Sequence, residues 1–81
     1  MKVKVKFFAI LRERAGAGEI VKEVNEGCTV TELWQALQED YPKLASSRAR
    51  LLYAVNQDYV SGDHVLKERD EVVFVPPVSG G

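Results

Sequence analysis

Residues 2–7 read Lys2-Val3-Lys4-Val5-Lys6-Phe7, an unbroken alternation of charged and apolar side chains. Side chains of a strand point to opposite faces in turn, so Val3, Val5 and Phe7 share one face and the three lysines the other. The stretch predicts a strand with one buried face. It therefore asks for a sheet that is covered on one side only.

The residues downstream supply that sheet and its cover. Phe8 falls on the lysine face by parity. Ile10 and Leu11 break the period, Arg12-Glu13-Arg14 suggests a turn or one helical turn, and Ala15-Gly16-Ala17-Gly18 is loop chemistry. Glu19 to Val24 predicts a second strand, antiparallel to the first because the connection is short. Asn25-Glu26-Gly27 reads as a turn. Thr29-Val30-Thr31-Glu32 then fits a capping box, with Thr29 as N-cap and Glu32 at N3. Val30, Leu33, Trp34, Leu37 and Tyr41 follow at i, i+3, i+4, i+7 and i+11, one apolar helical stripe that Pro42 ends. Lys43 to Arg50 reads as loop with room for a helical turn. Leu51 to Val55 predicts a strand, Asn56-Gln57-Asp58 a turn and Tyr59-Val60 a short strand or extended link. Val65-Leu66 is a further apolar anchor, and Val72 to Val75 is the last strand, stopped by Pro76-Pro77. The order predicts an α+β roll of the β-grasp kind, a mixed sheet of four or five strands with one main helix packed across it.

Composition narrows the function. The 81 residues are 46% hydrophobic and 28% charged, enough for one small domain. Such a chain buries roughly 60% of its unfolded surface, leaving little room for a large private pocket. Eleven basic against twelve acidic residues give a net charge of -1, without the basic excess of a nucleic-acid binder. Cys28 is the single cysteine and His64 the single histidine, too few for a structural zinc site, so no metal is expected. No apolar run approaches the ~20 residues of a membrane span, and a reduced, cytoplasmic domain is the expectation.

The C-terminus changes character. Val75-Pro76-Pro77-Val78-Ser79-Gly80-Gly81 leaves the domain, taken as residues 1–75, as a tail of residues 76–81. Two prolines favour extended geometry and two glycines favour freedom. Four residues past Pro77 could reach roughly 13 Å. Without side chains on its last two residues, the tail could thread a narrow channel. Its one chemical handle is the Gly81 carboxylate, a poor electrophile until it is activated. The competing reading is a frayed end without a role.

Phe7-Phe8-Ala9 with Leu11-Arg12-Glu13, Ala54-Val55-Asn56-Gln57, Asp63-His64 with Leu66, Asp70-Glu71-Val72 and the closing Phe74 with Pro76-Pro77-Val78-Ser79-Gly80-Gly81 together resemble the small subunits of molybdopterin synthase, ubiquitin-like sulfur carriers. The resemblance runs from the first strand to the last residue, and the Pro-Pro-Val-Ser-Gly-Gly ending is its specific part. It implies that an E1-like enzyme adenylates Gly81 with ATP and that a sulfur donor converts the transient glycyl-adenylate to a thiocarboxylate. The tail, with Ser79 and Gly80 threading, then enters the large synthase subunit and gives sulfur to cyclic pyranopterin monophosphate. Two transfers build the dithiolene that holds molybdenum. It further implies a heterotetramer of two small and two large subunits and no bound cofactor. By the same resemblance the other catalytic groups would lie on the partners, so the chain is expected to be non-catalytic alone and the sulfur-donating subunit of a sulfurtransferase complex. One departure is visible: the family often carries Asp-Gly-Asp-Glu where this chain has Glu68-Arg69-Asp70-Glu71. Arg69 is then either strained or sits in a turn of another shape.

Single residues carry paired readings. Phe8 either bends into the core or is an exposed docking residue. With Val72 and Phe74 pointing inward, Val73 and Val75 face outward, so Phe8, Tyr59 and Val75 form a candidate partner surface at the tail root. Trp34 reads as core. Cys28 is either a thiol with lowered pKa at a helix start or a small buried hydrophobe. His64 reads as a loop residue, and the lysine stripe as a solubilising face or a steering surface. Competing functions are a thiocarboxylate carrier for thiamine or another sulfur pathway, a ubiquitin-related modifier, and a β-grasp interaction module with an inert tail.

Overall fold

The computed structural model describes residues 1–46 and 51–76. β1 (Lys2–Phe7) is the strand that the alternation predicts, with Val3, Val5 and Phe7 buried and Lys2 and Lys4 exposed. β2 (Glu19–Glu23) runs antiparallel beside it, from Lys2 opposite Glu23 to Lys6 opposite Glu19. Val24 lies one residue past the end of β2, yet its N–H still bonds the Met1 carbonyl at 2.8 Å. On the other side of β1, β5 (Glu71–Val75) runs parallel, with Phe7 opposite Phe74. β3 (Leu52–Val55) pairs antiparallel with β5, and β4 (Asp58–Val60) closes the sheet antiparallel to β3. The order β2-β1-β5-β3-β4 is the mixed, five-stranded form of the expected α+β β-grasp sheet.

α2 (Val30–Asp40) covers the apolar face. Its capping box is complete: the Thr29 hydroxyl accepts from the Glu32 N–H at 3.2 Å, and the Glu32 carboxylate accepts from the Thr29 N–H at 3.0 Å. The next free donors go to the segment before β5. Val30 N–H bonds the His64 carbonyl at 3.0 Å and Thr31 N–H the Gly62 carbonyl at 2.9 Å. The helix start is thus saturated by its own chain. This contact also explains Gly62: a Cβ there would overlap Thr31 Oγ1.

Val30, Leu33 and Leu37 of the stripe are fully buried, and Trp34 and Tyr41 are half-buried against the same core. Phe74 is the hub. Its ring centroid lies 4.9 Å from that of Trp34, 5.7 Å from Tyr53 and 6.4 Å from Phe7. Offset and edge contacts of this kind add about 0.5–1.5 kcal/mol each beyond the area buried.

Three connections differ from or refine the sequence reading. Pro42 opens a single 3-10 segment (Pro42–Ser46) that buries Leu44, and residues 47–50 of the expected loop lie outside the described residues. Asp58 belongs to β4 rather than to the turn. Asn56 and Gln57, at φ 51° and 73°, form the two-residue hairpin alone, and a turn with both residues at positive φ matches the twist of the flanking strands. Of the two alternatives for Arg69, the strained one holds. Its φ is 66°, at a cost of about 1–2 kcal/mol for a non-glycine residue, and its N–H bonds the Lys2 carbonyl at 2.8 Å.

A fourth non-glycine outlier ends β1. Ala9 has φ 53° and ψ -131°, a region that glycine fills in mirror-image turns, and the strain is of the order of 1–3 kcal/mol. It turns the chain into α1 (Ile10–Ala15), which buries Leu11.

Candidate functional site

The sheet has a second face that no helix among the described residues covers. Its residues follow from register. Lys6, Val73, Ala54 and Tyr59 are successive partners across β1, β5, β3 and β4. One step toward the chain end, Val75 is opposite Leu52, and Phe8 follows the Phe7–Phe74 pair as Val75 follows it on β5. Lysines and glutamates dominate the face over β1 and β2, where Val21 is also exposed, and beyond Glu71 the face is apolar over β5, β3 and β4.

The three residues expected at the partner surface lie on this face. Phe8 is 49% exposed and Tyr59 73% exposed, while Val75 is half-buried between its neighbours. Phe8 does not bend into the core, because the Ala9 turn redirects the chain before it can. Leu52, 50% exposed, belongs to the same surface and was not singled out by sequence. The run Leu51-Leu52-Tyr53-Ala54-Val55 is apolar at every position, so it carries no parity signal. Only the pairing of Tyr53 with Phe74 shows that Tyr53 and Val55 point inward and Leu52 outward. A shallow groove of about 350 Å³ runs from Leu52 and Tyr59 to Ser61 and Gly62 at one margin of the face.

At the other margin the Arg12 side chain lies across Gly18. A Cβ at that glycine would meet Arg12 Nε at 3.1 Å. The lysine stripe is largely neutralised: Lys4 meets Glu19 at 3.4 Å and Lys6 meets Glu71 at 3.3 Å. These half-exposed pairs are each worth about 0.2–1 kcal/mol, and they fit a solubilising face better than a steering one.

No catalytic constellation accompanies the surface. Among the described residues, no three His, Cys, Asp or Glu side chains come together as a metal site. His64 is half-buried and serves α2 through its backbone carbonyl. Cys28 is half-buried, with Sγ donating to the Thr29 carbonyl at 3.3 Å. Burial first, and the Glu32 carboxylate second, push its thiol up, so the lowered pKa considered from its place before a helix does not hold. Asp70 is the one buried charged residue among those described. It accepts from Asn56 Nδ2 at 2.9 Å and from the Lys67 N–H at 2.8 Å, which makes it a brace for the turn into β5.

The candidate reactive end, Ser79, Gly80 and Gly81, lies outside the described residues. The structure does place its root. β5 is flanked by β1 and β3 and carries the chain to Pro76 at the edge of the apolar surface. No helix among the described residues is long and apolar enough to cross a membrane.

Comparison with known proteins follows the same outline. The model of the ThiS family matches residues 5–81. The chain is 46% identical to a molybdopterin synthase sulfur carrier subunit of Escherichia coli, covering 98% of this chain and 99% of that one. It is 37% identical to the Chlamydomonas reinhardtii protein of the same name, over the whole of both chains. Among solved structures, one from Pyrococcus furiosus described as a molybdopterin converting factor, subunit 1, superposes with a TM-score of 0.88 at 36% identity, covering 96% of this chain and 99% of that one. SAMP1 of Haloferax volcanii, a small archaeal modifier protein, superposes with 0.89 at 27% identity over the whole of both chains. The fold is also that of a chain in a Helicobacter pylori complex of molybdopterin-converting factor subunits 1 and 2, with a TM-score of 0.69 at 24% identity over the whole of both chains.

Proposed function

The chain belongs to the ThiS family, and we propose that it is the sulfur-carrier subunit of molybdopterin synthase. One observation carries the reading from the side of geometry. A central strand delivers the tail from the margin of an exposed apolar face made of Phe8, Leu52, Tyr59 and Val75. A carrier needs that arrangement, because a partner must grip the domain while the tail reaches into the partner's active site.

In this reading the large synthase subunit seats on the apolar face, and Ser79 and Gly80 thread toward its chemistry. The carrier's own chemistry is confined to Gly81. An E1-like partner joins the Gly81 carboxylate to the α-phosphate of ATP and releases pyrophosphate. A sulfur donor then displaces AMP and leaves a thiocarboxylate. Glycine suits both steps, since no side chain hinders approach to the carbonyl. The thiocarboxylate sulfur passes to cyclic pyranopterin monophosphate, and hydrolysis of the acyl carbon returns Gly81 as carboxylate. Two rounds supply the dithiolene of the molybdenum cofactor. The chain holds no cofactor of its own and is not catalytic alone.

Reconstitution tests this. The thiocarboxylated chain, mixed with a large subunit and cyclic pyranopterin monophosphate, yields molybdopterin, whereas the chain lacking Gly80 and Gly81 yields none. Product formation by the truncated chain would contradict the reading.

The likeness to SAMP1 favours a second reading, a modifier conjugated through the same glycine to lysine side chains. It predicts isopeptide-linked adducts of Gly81 in cells that contain the activating enzyme, and the carrier reading does not require them.

A further inference from the structure

We propose that Arg12 is the seat for a carboxylate: its guanidinium, laid over Gly18 at the margin of the apolar face, receives an acidic side chain of the large synthase subunit. The inference rests on the docking face described under the proposed function and adds a charged contact to it.

The pairing of charges singles out Arg12. Lys4 is paired with Glu19, Lys6 with Glu71 and Lys22 with Asp40. The Arg12 side chain is exposed and has no carboxylate partner among the described residues. Glu19 and Glu71, the carboxylates on its side of the sheet, are already taken by the lysines. Glu13 lines the hollow on the other flank of Arg12 and forms no ion pair with it. Lys2, Lys67 and Arg69 are unpaired too, but they gather at the opposite end of the sheet, where the Arg69 N–H bonds the Lys2 carbonyl at 2.8 Å. Arg12 borders the apolar face, and the charge that balances it there has to come from a partner.

Gly18 gives the side chain its course. This glycine is not in the left-handed region, so backbone geometry does not call for it. Its carbonyl accepts from the Phe7 N–H at 2.9 Å, and a Cβ would meet Arg12 Nε at 3.1 Å and Cζ at 3.2 Å. The missing side chain lets the guanidinium lie close against the chain. The Arg12 backbone is tied as well, its N–H to the Ala9 carbonyl and its carbonyl to the Gly16 N–H. On the Phe8 side it borders a hollow of about 450 Å³, lined also by Lys6, Phe7, Phe8, Gly18 and Glu19. A carboxylate entering there meets a planar fork of donors able to bind both of its oxygens. Phe8 beside it excludes water from the contact once the partner is seated. An arginine at the rim of an aromatic patch is also what interface composition favours.

Calorimetry of the full-length chain with the large synthase subunit tests this, at about 0.1 M and about 1 M salt, where the screening length falls from about 10 Å to about 3 Å. Arg12→Ala is expected to bind about 3- to 10-fold more weakly at the lower salt, with a smaller deficit at the higher. Arg12→Lys keeps the charge without the fork and should fall between. Arg12→Glu sets like charges together and should cost at least about 30-fold, and changing one acidic residue of the large subunit to lysine should restore its binding. All three variants are expected to melt near the wild-type temperature, because Arg12 makes no ion pair with the described residues of its own chain. Wild-type affinity of Arg12→Glu, a deficit that ignores salt, or the absence of any rescuing acid-to-lysine change overturns the proposal. Leu52→Asp, measured alongside, separates the two readings: if it loses binding and Arg12→Glu does not, the Arg12 contact alone is misassigned. A wild-type chain that does not bind the large subunit contradicts the function itself.

Discussion

Leu52 and Val75 are register partners on β3 and β5, and both face away from the core. Val75 is the last strand residue before Pro76, so Leu52 marks one flank of the tail root while Phe8 stands on the other. In the proposed complex, a subunit that grips the tail would rest on these side chains. Interface energy concentrates in a few buried apolar anchors, and truncating or charging one of them commonly costs more than 1 kcal/mol. Leu52→Asp is expected to weaken binding to the large subunit at least about tenfold, or roughly 1.4 kcal/mol. Its melting temperature should move little, because half of Leu52 is exposed in the free chain. Titration calorimetry checks this, and undiminished affinity would place the interface elsewhere.

Asp70 braces the turn that launches β5. Its carboxylate takes hydrogen bonds from Asn56 and Lys67, while Asn56 Oδ1 accepts from the Glu71 N–H at 3.0 Å. Asp70→Ala leaves two donors without their acceptor, which costs about 1–3 kcal/mol. For a domain of this size each kcal/mol lowers the melting temperature by about 4–8 °C. Asp70→Asn should fall between, since its amide can accept from only one of the two donors without presenting its own N–H to the other. Thermal melting of the three proteins orders them wild type, Asn, Ala.

Gly62 makes room for Thr31 where the loop caps α2. The methyl of Gly62→Ala would overlap Thr31 Oγ1, and overpacking of this kind costs about 1–3 kcal/mol. Thr31→Ala removes the obstructing hydroxyl while keeping the backbone bond from residue 31 to the Gly62 carbonyl. The double variant should therefore regain most of the stability lost by Gly62→Ala, as read by urea denaturation. Additive losses would show that the glycine is needed for some other reason.

Cys28 should behave as a reluctant nucleophile. Burial and Glu32 disfavour its thiolate in the folded state, so alkylation by iodoacetamide at pH 8 should be slower than that of an unfolded control. The sign for stability follows. With the folded-state pKa raised, the thiol's contribution is complete below the unfolded pKa of about 8.5 and is lost as pH rises through the folded value. The stability gap between wild type and Cys28→Ala should be constant near neutrality and shift against wild type as the solution becomes alkaline.

Much of this architecture was legible in the residues. The alternation of Lys2 to Phe7 and the stripe from Val30 to Tyr41 each bury one face, and physical chemistry allows few ways to satisfy both. The tail root was legible too, because Val72 to Val75 is followed by two prolines. What escaped was set by tertiary pairing. Leu52 lies in a run with no polar residue to mark its faces, and only the register against Phe74 orients it. The positive φ angles of Ala9, Gln57 and Arg69 carry no glycine to announce them. Their neighbours impose them, through hydrogen bonds such as those from Arg12 to Ala9 and from Arg69 to Lys2.

The sulfur-carrier function turns on a thiocarboxylate at Gly81. The most direct measurement is intact mass spectrometry after incubation with an E1-like activating enzyme, ATP and a sulfur source. A sulfur carrier gains the mass of one oxygen-for-sulfur exchange, mapped by fragmentation to Gly81 and lost when Gly81 is deleted. An unchanged mass, with an activating enzyme shown to be competent on another carrier, would contradict it and leave a β-grasp binding domain whose glycine end has no chemical role.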